Sequence, residues 1–418
     1  MSTLSAILAE ADAVVKSDPR KAEGLYKRVL DGQTNDEQAL RDQESALVKL
    51  GQLYRDEKNA AALADVVRSS LAFMTSTAKA KTAKLIRTLI DFFSDIPNSE
   101  QIQIDVTKEN IEWAIREKRI FLKHNLETRL ATLLLETQAF RPALALIDNL
   151  LRELKRLDDK LILTEVHLLE SRVYRGIANY PKSKAALTSA RTAANSIYCP
   201  PYLQAQLDLQ SGILHAEDKD YKTAYSYFFE VFENLSLQDD PKALTALKYM
   251  LLCKIMLNLP EDVTSLLQIK LALKYAQVRD VESMRAVARA HQNRNLAEFQ
   301  RALKHYRELS SDPTIRSHLA ALYDTLLEQN LLRIVEPYSV VEIEHVAEVV
   351  GQGRAQVEAK LSQMILDKVL QGVLDQGNGC LIVFDEPEQD ETYSTAIKTI
   401  EQVGKVVESL YAKTVRIA

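Results

Sequence analysis

Glycine is scarce in this chain, which has 11 glycines among its 418 residues against a usual share of about 7%. Only five of them precede Gly351. Turns that depend on glycine are therefore rare over the first 350 residues, which argues against a fold built from tight β-hairpins there. The pattern favours helices joined by short polar corners.

Cysteine, long apolar runs and excess charge are also scarce. The three cysteines, Cys199, Cys253 and Cys380, lie far apart, which argues against a disulfide framework and indicates a reducing compartment. Acids occur too early for a signal peptide, and no apolar run approaches the ~18 residues that span a bilayer. A net charge of −5 indicates no polyanion binder. We expect a soluble protein of the cytoplasm and nucleus, without a membrane partner.

Catalytic signatures are missing from the sequence. It contains no G-x-x-x-x-G-K-[ST], G-x-S-x-G, C-x-x-C or H-E-x-x-H, and no H-x-H pair of the kind a zinc isopeptidase needs. Gly351 and Gly353 lack the third glycine and the preceding strand of a phosphate loop, so they indicate a turn. We predict no enzymatic activity, no metal, no cofactor and no small-molecule substrate.

Apolar residues recur at helical spacing from the start to about residue 310. A polar corner followed by an aromatic or leucine recurs at Phe140, Tyr180 and Tyr221, and more weakly at Leu259 and Leu296, with a period of about 37–41 residues. One helix pair cannot bury its apolar face, so successive pairs must stack. The sequence predicts a mainly α fold, a right-handed α-solenoid of TPR-like helix pairs.

Residues 315–386 follow the order of a winged helix. Ser339 and Glu342 fit a capping box, which predicts a helix that contains Val340. Gly351 and Gly353 permit a reversal before a second helix. Two aliphatic runs joined by a glycine-rich turn then predict a β-hairpin, which we expect to present an exposed sheet edge to a protein partner. Its residues are Val369, Leu370, Val373 and Leu374 on one strand, and Cys380, Leu381, Ile382, Val383 and Phe384 on the other.

Acidic residues dominate this module. Between residues 339 and 386 three basic residues face eight acids. Nucleic-acid affinity needs a basic face, so we predict a protein-binding module and no nucleic-acid partner. An RNA- or DNA-associated protein is the less favoured alternative.

A last helix follows an acidic linker. Ala396, Ile400, Val403, Val407 and Leu410 alternate spacings of four and three, with Ile397 beside them. This seam predicts either a place in a partner helix bundle or a return onto the chain's own winged helix.

Two basic stripes occur in the N-terminal arm. Lys81, Lys84 and Arg87 follow one side of a helix, and Arg116, Arg119 and Lys123 share a face of the next one, predicted to run over residues 102–122. Either stripe could dock an acidic protein surface or be a solvated helix face.

Short stretches near the C-terminus carry a family resemblance. They are Y-D-T-L-L-E-Q-N-L (323–331), K-L-S-Q-M-I-L-D-K (360–368), L-D-Q-G-N-G (374–379), I-V-F-D-E-P (382–387) and V-V-E-S-L-Y (406–411). Together with helical repeats that run into a winged helix, they resemble the PCI-domain family. Within it they resemble the family of non-ATPase subunit six of the 26S proteasome regulatory particle lid. The paralogous family of COP9 signalosome subunit two is the alternative, although it carries an acidic N-terminal extension absent here.

The resemblance implies a non-catalytic structural subunit in ubiquitin-dependent protein degradation. It implies lid assembly through the hairpin sheet and the C-terminal helix, and a clamp between regulatory and core particles through the N-terminal solenoid. The implied partners are other PCI subunits of the lid, the lid deubiquitinase subunit, the ATPase ring and a core-particle α-subunit. We divide the chain into a helical arm (1–125), TPR-like repeats (126–310), the winged-helix part of a PCI domain (311–386), and a linker with the bundle helix (387–418).

Overall fold

The computed structural model describes residues 3–15, 18–30, 37–74, 79–97, 99–306, 313–384 and 391–415. The chain divides into two compact units, Met1–Cys253 and Lys254–Ala418. Within the described residues the first unit is a stack of helices, and the second adds a winged helix with a small antiparallel sheet. None of the described helices is long and apolar enough to cross a membrane.

The first unit is built from consecutive helices, as the sequence predicts. Their bounds are α1 Thr3–Val14, α2 Pro19–Leu30, α3 Glu37–Asp56, α4 Ala60–Met74, α5 Lys79–Ser94, α6 Glu100–Arg116, α7 Ile120–Glu136, α8 Phe140–Leu157, α9 Lys160–Gly176, α10 Tyr180–Asn195, α11 Pro201–Glu217, α12 Tyr221–Leu237 and α13 Ala243–Met256, the last of which runs into the second unit. Helices α8, α10 and α12 begin at Phe140, Tyr180 and Tyr221, so the predicted corners are confirmed.

The corners explain how the solenoid forms with so little glycine. At Ala178 the backbone is left-handed (φ +63°). Its N–H donates to the Arg175 carbonyl at 2.8 Å, and the next N–H, of Asn179, donates to the Tyr174 carbonyl at 2.9 Å. This pair of bonds closes a helix end, and glycine usually supplies the left-handed residue. Here other residue types do so, at Lys58, Lys118, Gln138, Ala178, Lys219 and Asp239 in the first unit.

The residue after each left-handed position often starts the next helix. Asn179 caps α10, because its side-chain oxygen accepts a hydrogen bond from the N–H of Lys182 at 3.4 Å. Asp220 caps α12 in the same way through the N–H of Thr223. Each of these corners thus ends one helix and begins the next within about three residues, which holds the two consecutive helices side by side.

Helical glycines mark close packing between paired helices. A Cβ on Gly212 of α11 would lie 2.6 Å from Cε1 of Phe228 on α12. The Phe228 ring is 2% exposed and lies 5.2 Å from the Tyr249 ring, centroid to centroid. Gly176 has the same relation to Phe140. These glycines make room for aromatic side chains in the core.

The second unit continues with helices and ends in the winged helix. Its elements are α14 Pro260–Leu267, a 3₁₀ turn at Leu273–Tyr275, α15 Arg279–Gln292, α16 Leu296–His305, α17 Pro313–Val335, β1 Val340–Glu342, α18 Ile343–Val350, α19 Arg354–Leu366, β2 Gly372–Asp375, β3 Cys380–Val383 and α20 Glu391–Val415. Gly351 adopts φ +71° and ends α18, which confirms the predicted reversal.

The predicted capping box at Ser339 is wrong. Val340 and Val341 lie in strand β1, and helix α18 begins only at Ile343, with Glu342 at its N-cap and no side-chain capping bond. Val340 therefore lies exposed on the strand, whereas the capping box predicts it within a helix. Val341 is 5% exposed, so the strand fixes which of the two valines is buried.

Candidate interaction surfaces

The small sheet presents an apolar row to solvent. Its strand order is β1-β3-β2, and both pairings are antiparallel. Val340 lies opposite Ile382, which in turn lies opposite Val373. Val340 and Val373 are both more than half exposed, and Phe384, two residues beyond Ile382, is 53% exposed. We call Val340, Val373, Ile382 and Phe384 the outer row.

The opposite side of the sheet belongs to the core. Leu381 is fully buried between Val341 and Leu374, and Leu370 is 7% exposed. The core of the winged helix combines them with Ile343, Val346, Val357, Leu361 and Met364. Of the hairpin residues singled out from sequence, Leu370, Leu374, Leu381 and Val383 thus pack inward. Val369, Val373, Ile382 and Phe384 do not belong to this core and remain candidates for partner contact, with half-exposed Cys380 at the start of β3.

The expected sheet edge at β3 is wrong. Strand β3 is central, because β1 pairs with it on the side away from β2. The first strand of the hairpin is also shorter than predicted, because β2 begins at Gly372 and so excludes Val369 and Leu370. The free backbone edges of the sheet belong to β1 and β2 instead.

The hairpin turn is stabilised by Asp375. Its carboxylate accepts hydrogen bonds from the N–H groups of Gly377 at 3.0 Å and Asn378 at 3.2 Å, and from the Asn378 side chain at 2.8 Å. The bonds from Asn378 and Gly377 lower the pKa of Asp375. Gly379 completes the turn at φ +67°. This turn fixes the register that places Val373 opposite Ile382.

Helix α20 exposes its apolar residues along almost its whole length. Every side chain described in this helix is exposed, so a return of the seam onto the winged helix is not observed among the described residues. Ile397, Ile400, Val403, Val407 and Leu410 are between 55% and 71% exposed. Tyr393 and Tyr411 fall on the same side at helical spacing, one turn or less from the seam, and sequence reasoning missed them. We call these seven residues the C-terminal stripe.

The first basic stripe is exposed where it is described. Lys84 and Arg87 lie on α5 with exposed side chains, and the side chain of Lys81 falls outside the described part of the chain. The predicted acidic linker falls outside it as well, except for its end at Glu391. Lys84 and Arg87 remain candidates for contact with an acidic surface.

The second basic stripe does not form a common helix face, so this expectation is wrong. The helix predicted over residues 102–122 breaks at Lys118, which is left-handed at φ +54°. Arg116 therefore ends α6, while Lys123 lies in α7. The Arg119 guanidinium stacks over the Trp113 ring at 4.7 Å. Only Arg116 is exposed, because Arg119 and Lys123 are half-buried and contact their own chain.

Lys123 belongs to a partly buried charge network. Its Nζ lies 2.7 Å from one oxygen of Glu153 and 3.7 Å from Glu127. Nε2 of His124, which is 1% exposed, lies 3.0 Å from the same Glu153 oxygen. Bonds from Lys123 and His124 lower the pKa of Glu153, whereas burial raises the pKa of Glu127.

This network also has the donor set of a metal site. Donor atoms of His124, Glu127 and Glu153 lie within 4.8 Å of one another. The ammonium group of Lys123 already provides the cation that the carboxylates need, and a metal ion would compete with it. The arrangement ties the first turn of α7 to the end of α8, and we assign it a structural role.

Charge on the winged helix is distributed as the sequence indicates. Glu342, Glu344, Glu348 and Asp367 are exposed acids. Lys360, one of the three basic residues, is held by Glu328 at 2.7 Å. Exposed Arg354 and Lys368 are too few for a phosphate-binding face.

Comparison with known families and proteins accounts for most of the chain. Residues 4–137 match the model for the 26S proteasome regulatory subunit RPN6 N-terminal domain. Residues 303–385 match the PCI domain, and residues 389–414 match the 26S proteasome subunit RPN6 C-terminal helix domain.

Similar curated proteins match over nearly their whole length. The chain is 55% identical over 413 residues to a Schizosaccharomyces pombe protein named "Probable 26S proteasome regulatory subunit rpn6", covering 98% of each. It is 49% identical over 429 residues to the 26S proteasome regulatory subunit RPN6 of Saccharomyces cerevisiae, covering 99% of each. It is 48% identical over 404 residues to the 26S proteasome non-ATPase regulatory subunit 11 homolog of Arabidopsis thaliana, covering 96% of each.

Proposed function

The chain belongs to the family of the 26S proteasome regulatory subunit Rpn6, and from this membership we propose that it is a non-catalytic scaffold of the proteasome lid in ubiquitin-dependent protein degradation. The observation that carries the proposal is the C-terminal stripe, which exposes seven large apolar residues on one helix. Soluble monomers rarely leave such a continuous apolar surface uncovered. A helix bundle formed with other lid subunits buries it.

The outer row of the winged helix is the second assembly surface. Val340, Ile382 and Val373 form one line across three strands, and Phe384 extends it. A neighbouring PCI subunit covers this row, and its backbone can also pair with the free edge of β1 or β2. The inward residues Leu370, Leu374, Leu381 and Val383 support the row without touching the partner.

The N-terminal arm supplies a third contact in this proposal. Lys84 and Arg87 are exposed on one side of α5 and suit an acidic surface on a core-particle α-subunit or on the ATPase ring. Contacts at both ends of the chain would clamp the regulatory particle to the core particle. The lid deubiquitinase subunit is a further neighbour of this assembly, which works in the cytoplasm and the nucleus.

The C-terminal stripe can be tested by paired aspartate substitutions. Val403→Asp with Val407→Asp places two charges within the stripe, where each valine is more than half exposed. We expect the isolated chain to unfold at an unchanged temperature, because neither side chain is buried in it. Incorporation into the lid, measured by native gel electrophoresis and affinity purification of the tagged chain, should be lost.

The matched control adds the same two charges to the opposite face of the helix. Gln402→Asp with Ser409→Asp should incorporate like the unchanged chain, since both positions are exposed and lie about half a turn from the stripe. Normal incorporation of a folded Val403→Asp, Val407→Asp chain would refute the bundle assignment.

A further inference from the structure

Helix α9 carries two partly buried charges that have no opposite charge beside them in the described part of the chain. Glu165 and Arg172 are both half-buried. They are seven residues apart, so they lie on one face of the helix, about 10.5 Å apart along its axis. Neither forms an ion pair among the described residues, although partly buried charges are normally paired.

Glu165 faces a surface cavity of about 380 Å³. Among the described residues its carboxylate has no hydrogen-bond partner, and burial raises its pKa, with a smaller contribution from Asp159. Arg129, which lines the same cavity, is already bound to Asp91. Arg87 also lines the cavity but forms no ion pair with Glu165 among the described residues, so the carboxylate has no cation bound to it.

Arg172 is a guanidinium without a carboxylate partner among the described residues. Its Nη2 donates to the neutral amide oxygen of Gln206 at 3.2 Å. Burial lowers its pKa to about 10, and Arg175 adds to the effect. Arg191, in the same unit, shows what a partner changes, because its guanidinium binds Asp208 at 2.8 Å and Tyr227 at 2.9 Å. These bonds outweigh burial and raise the pKa of Arg191.

An aromatic ring is associated with both charges. Tyr202, in the first turn of α11, lines the cavity together with Glu165 and lies near enough to Arg172 to oppose the lowering of its pKa. Its side chain is 51% exposed. The surface thus combines the half-buried residues Glu165 and Arg172 with the exposed ring of Tyr202.

We propose that this surface binds an extended segment of a partner polypeptide, with a basic side chain on Glu165, a carboxylate on Arg172 and the backbone over Tyr202. Charge complementarity selects this occupant, because a segment with only one sign of charge would satisfy only one of the two groups. Residues three apart on a polyproline-type segment lie on one face about 9.3 Å apart, which matches the separation on α9. Arg87 also lines this cavity, so the site adjoins the basic pair Lys84 and Arg87 proposed above as a contact of the N-terminal arm.

Binding is tested with fluorescein-labelled nine-residue peptide pools and the full-length chain. One set has Lys-x-x-Glu or Glu-x-x-Lys at the centre, with Ala, Pro, Ser and Leu elsewhere. The reference pools carry Lys-x-x-Gln or Gln-x-x-Glu. By fluorescence anisotropy we expect the doubly charged set to bind about tenfold more tightly than either reference pool. Absence of saturable binding of both doubly charged pools overturns the proposal.

Substitutions assign the two contacts. Glu165→Gln should weaken binding of the doubly charged pool about tenfold and leave binding of the Gln-x-x-Glu pool unchanged. Arg172→Met should also weaken binding of the doubly charged pool about tenfold, but it should leave binding of the Lys-x-x-Gln pool unchanged. Glu112→Gln, at an exposed site on α6 outside the cavity lining, should change neither.

Thermal unfolding separates a binding role from a structural one. Because each group is desolvated without a charged partner, Glu165→Gln and Arg172→Met should leave the unfolding temperature unchanged or raise it. A lowered unfolding temperature for both variants, or unchanged peptide binding by both, would show that the two charges serve the fold alone.

Discussion

Gly212 allows a direct test of the packing between paired helices. By helix propensity alone, Gly212→Ala should stabilise α11 by about 1 kcal/mol. The added Cβ, however, would lie 2.6 Å from Cε1 and 2.8 Å from Cδ1 of Phe228. That ring is 2% exposed and packs against Tyr249, so it has no free space to move into.

The cost of this overlap should exceed the gain in propensity. Forcing an extra carbon into a well-packed core costs about 1–3 kcal/mol. We therefore expect Gly212→Ala to destabilise the α11–α12 pair by up to about 2 kcal/mol, the overlap cost of about 1–3 kcal/mol less the propensity gain of about 1 kcal/mol. Gly24→Ala is the matched control, because Gly24 lies inside α2 with nothing within 4 Å of the added Cβ. It should stabilise α2 by up to about 1 kcal/mol.

Hydrogen exchange with mass spectrometry is the suitable assay. The chain has two units, so one global unfolding free energy is poorly defined, whereas exchange reports the local free energy of opening of each helix pair. Phe228→Leu removes the ring, so the double variant should lose less stability than the two single variants summed. Equal protection of α11 in the unchanged and Gly212→Ala chains would refute the packing argument.

Three further predictions follow from the corners, the charge network and the sheet. Ala178→Gly should stabilise the α9–α10 corner by about 1 kcal/mol in hydrogen exchange, because alanine is strained at φ +63°. At pH 7 Glu153→Gln should lower the unfolding temperature and Glu127→Gln should raise it, in scanning calorimetry. Gly372→Ala should destabilise the winged helix and reduce lid incorporation, because its Cβ would lie 2.5 Å from the Ile382 carbonyl oxygen.

The pH dependence gives the charge network its control. The pKa of Glu153 is lowered by folding, so its stabilisation is present above its unfolded pKa and is lost as the pH falls through its folded pKa. The pKa of Glu127 is raised, so its cost is absent below its unfolded pKa and grows as the pH rises through its folded pKa. Both differences from the unchanged chain should therefore fade in acid, and persistence of either would contradict the assignment. If Ala178→Gly does not stabilise its corner, the strain argument at Ala178 is refuted. If Gly372→Ala does not destabilise the winged helix, the packing argument at Gly372 is refuted.

Local signals made the repeated corners predictable. Phe140, Tyr180 and Tyr221 follow polar residues at a steady period, and each begins a helix. The break at Lys118 had no such signal, since it contains neither glycine nor proline and its left-handed conformation is adopted by a lysine. The second basic stripe was predicted across that break, and this is why it failed.

Non-local pairing hid strand β1. The sequence around Val340 satisfies both a capping pattern and a β-branched strand pattern, and the choice depends on Ile382, about forty residues later. The exposure of the C-terminal stripe could not be decided from sequence either, because its apolar spacing suits burial within the chain as well as burial against a partner. Which residues touch which partner stays a prediction, as do the three boundaries between the four predicted domains.

Helix α20 ties the solubility of this chain to the supply of its neighbours. Eight large apolar side chains on this one helix are exposed to water. A copy synthesised in excess over its neighbours therefore exposes an aggregation-prone apolar surface, as a misfolded protein does, although it is correctly folded. Unequal synthesis of subunits would then be enough to cause self-association or clearance of the surplus. The exposed helix therefore requires that this chain be synthesised in balance with the subunits that cover it.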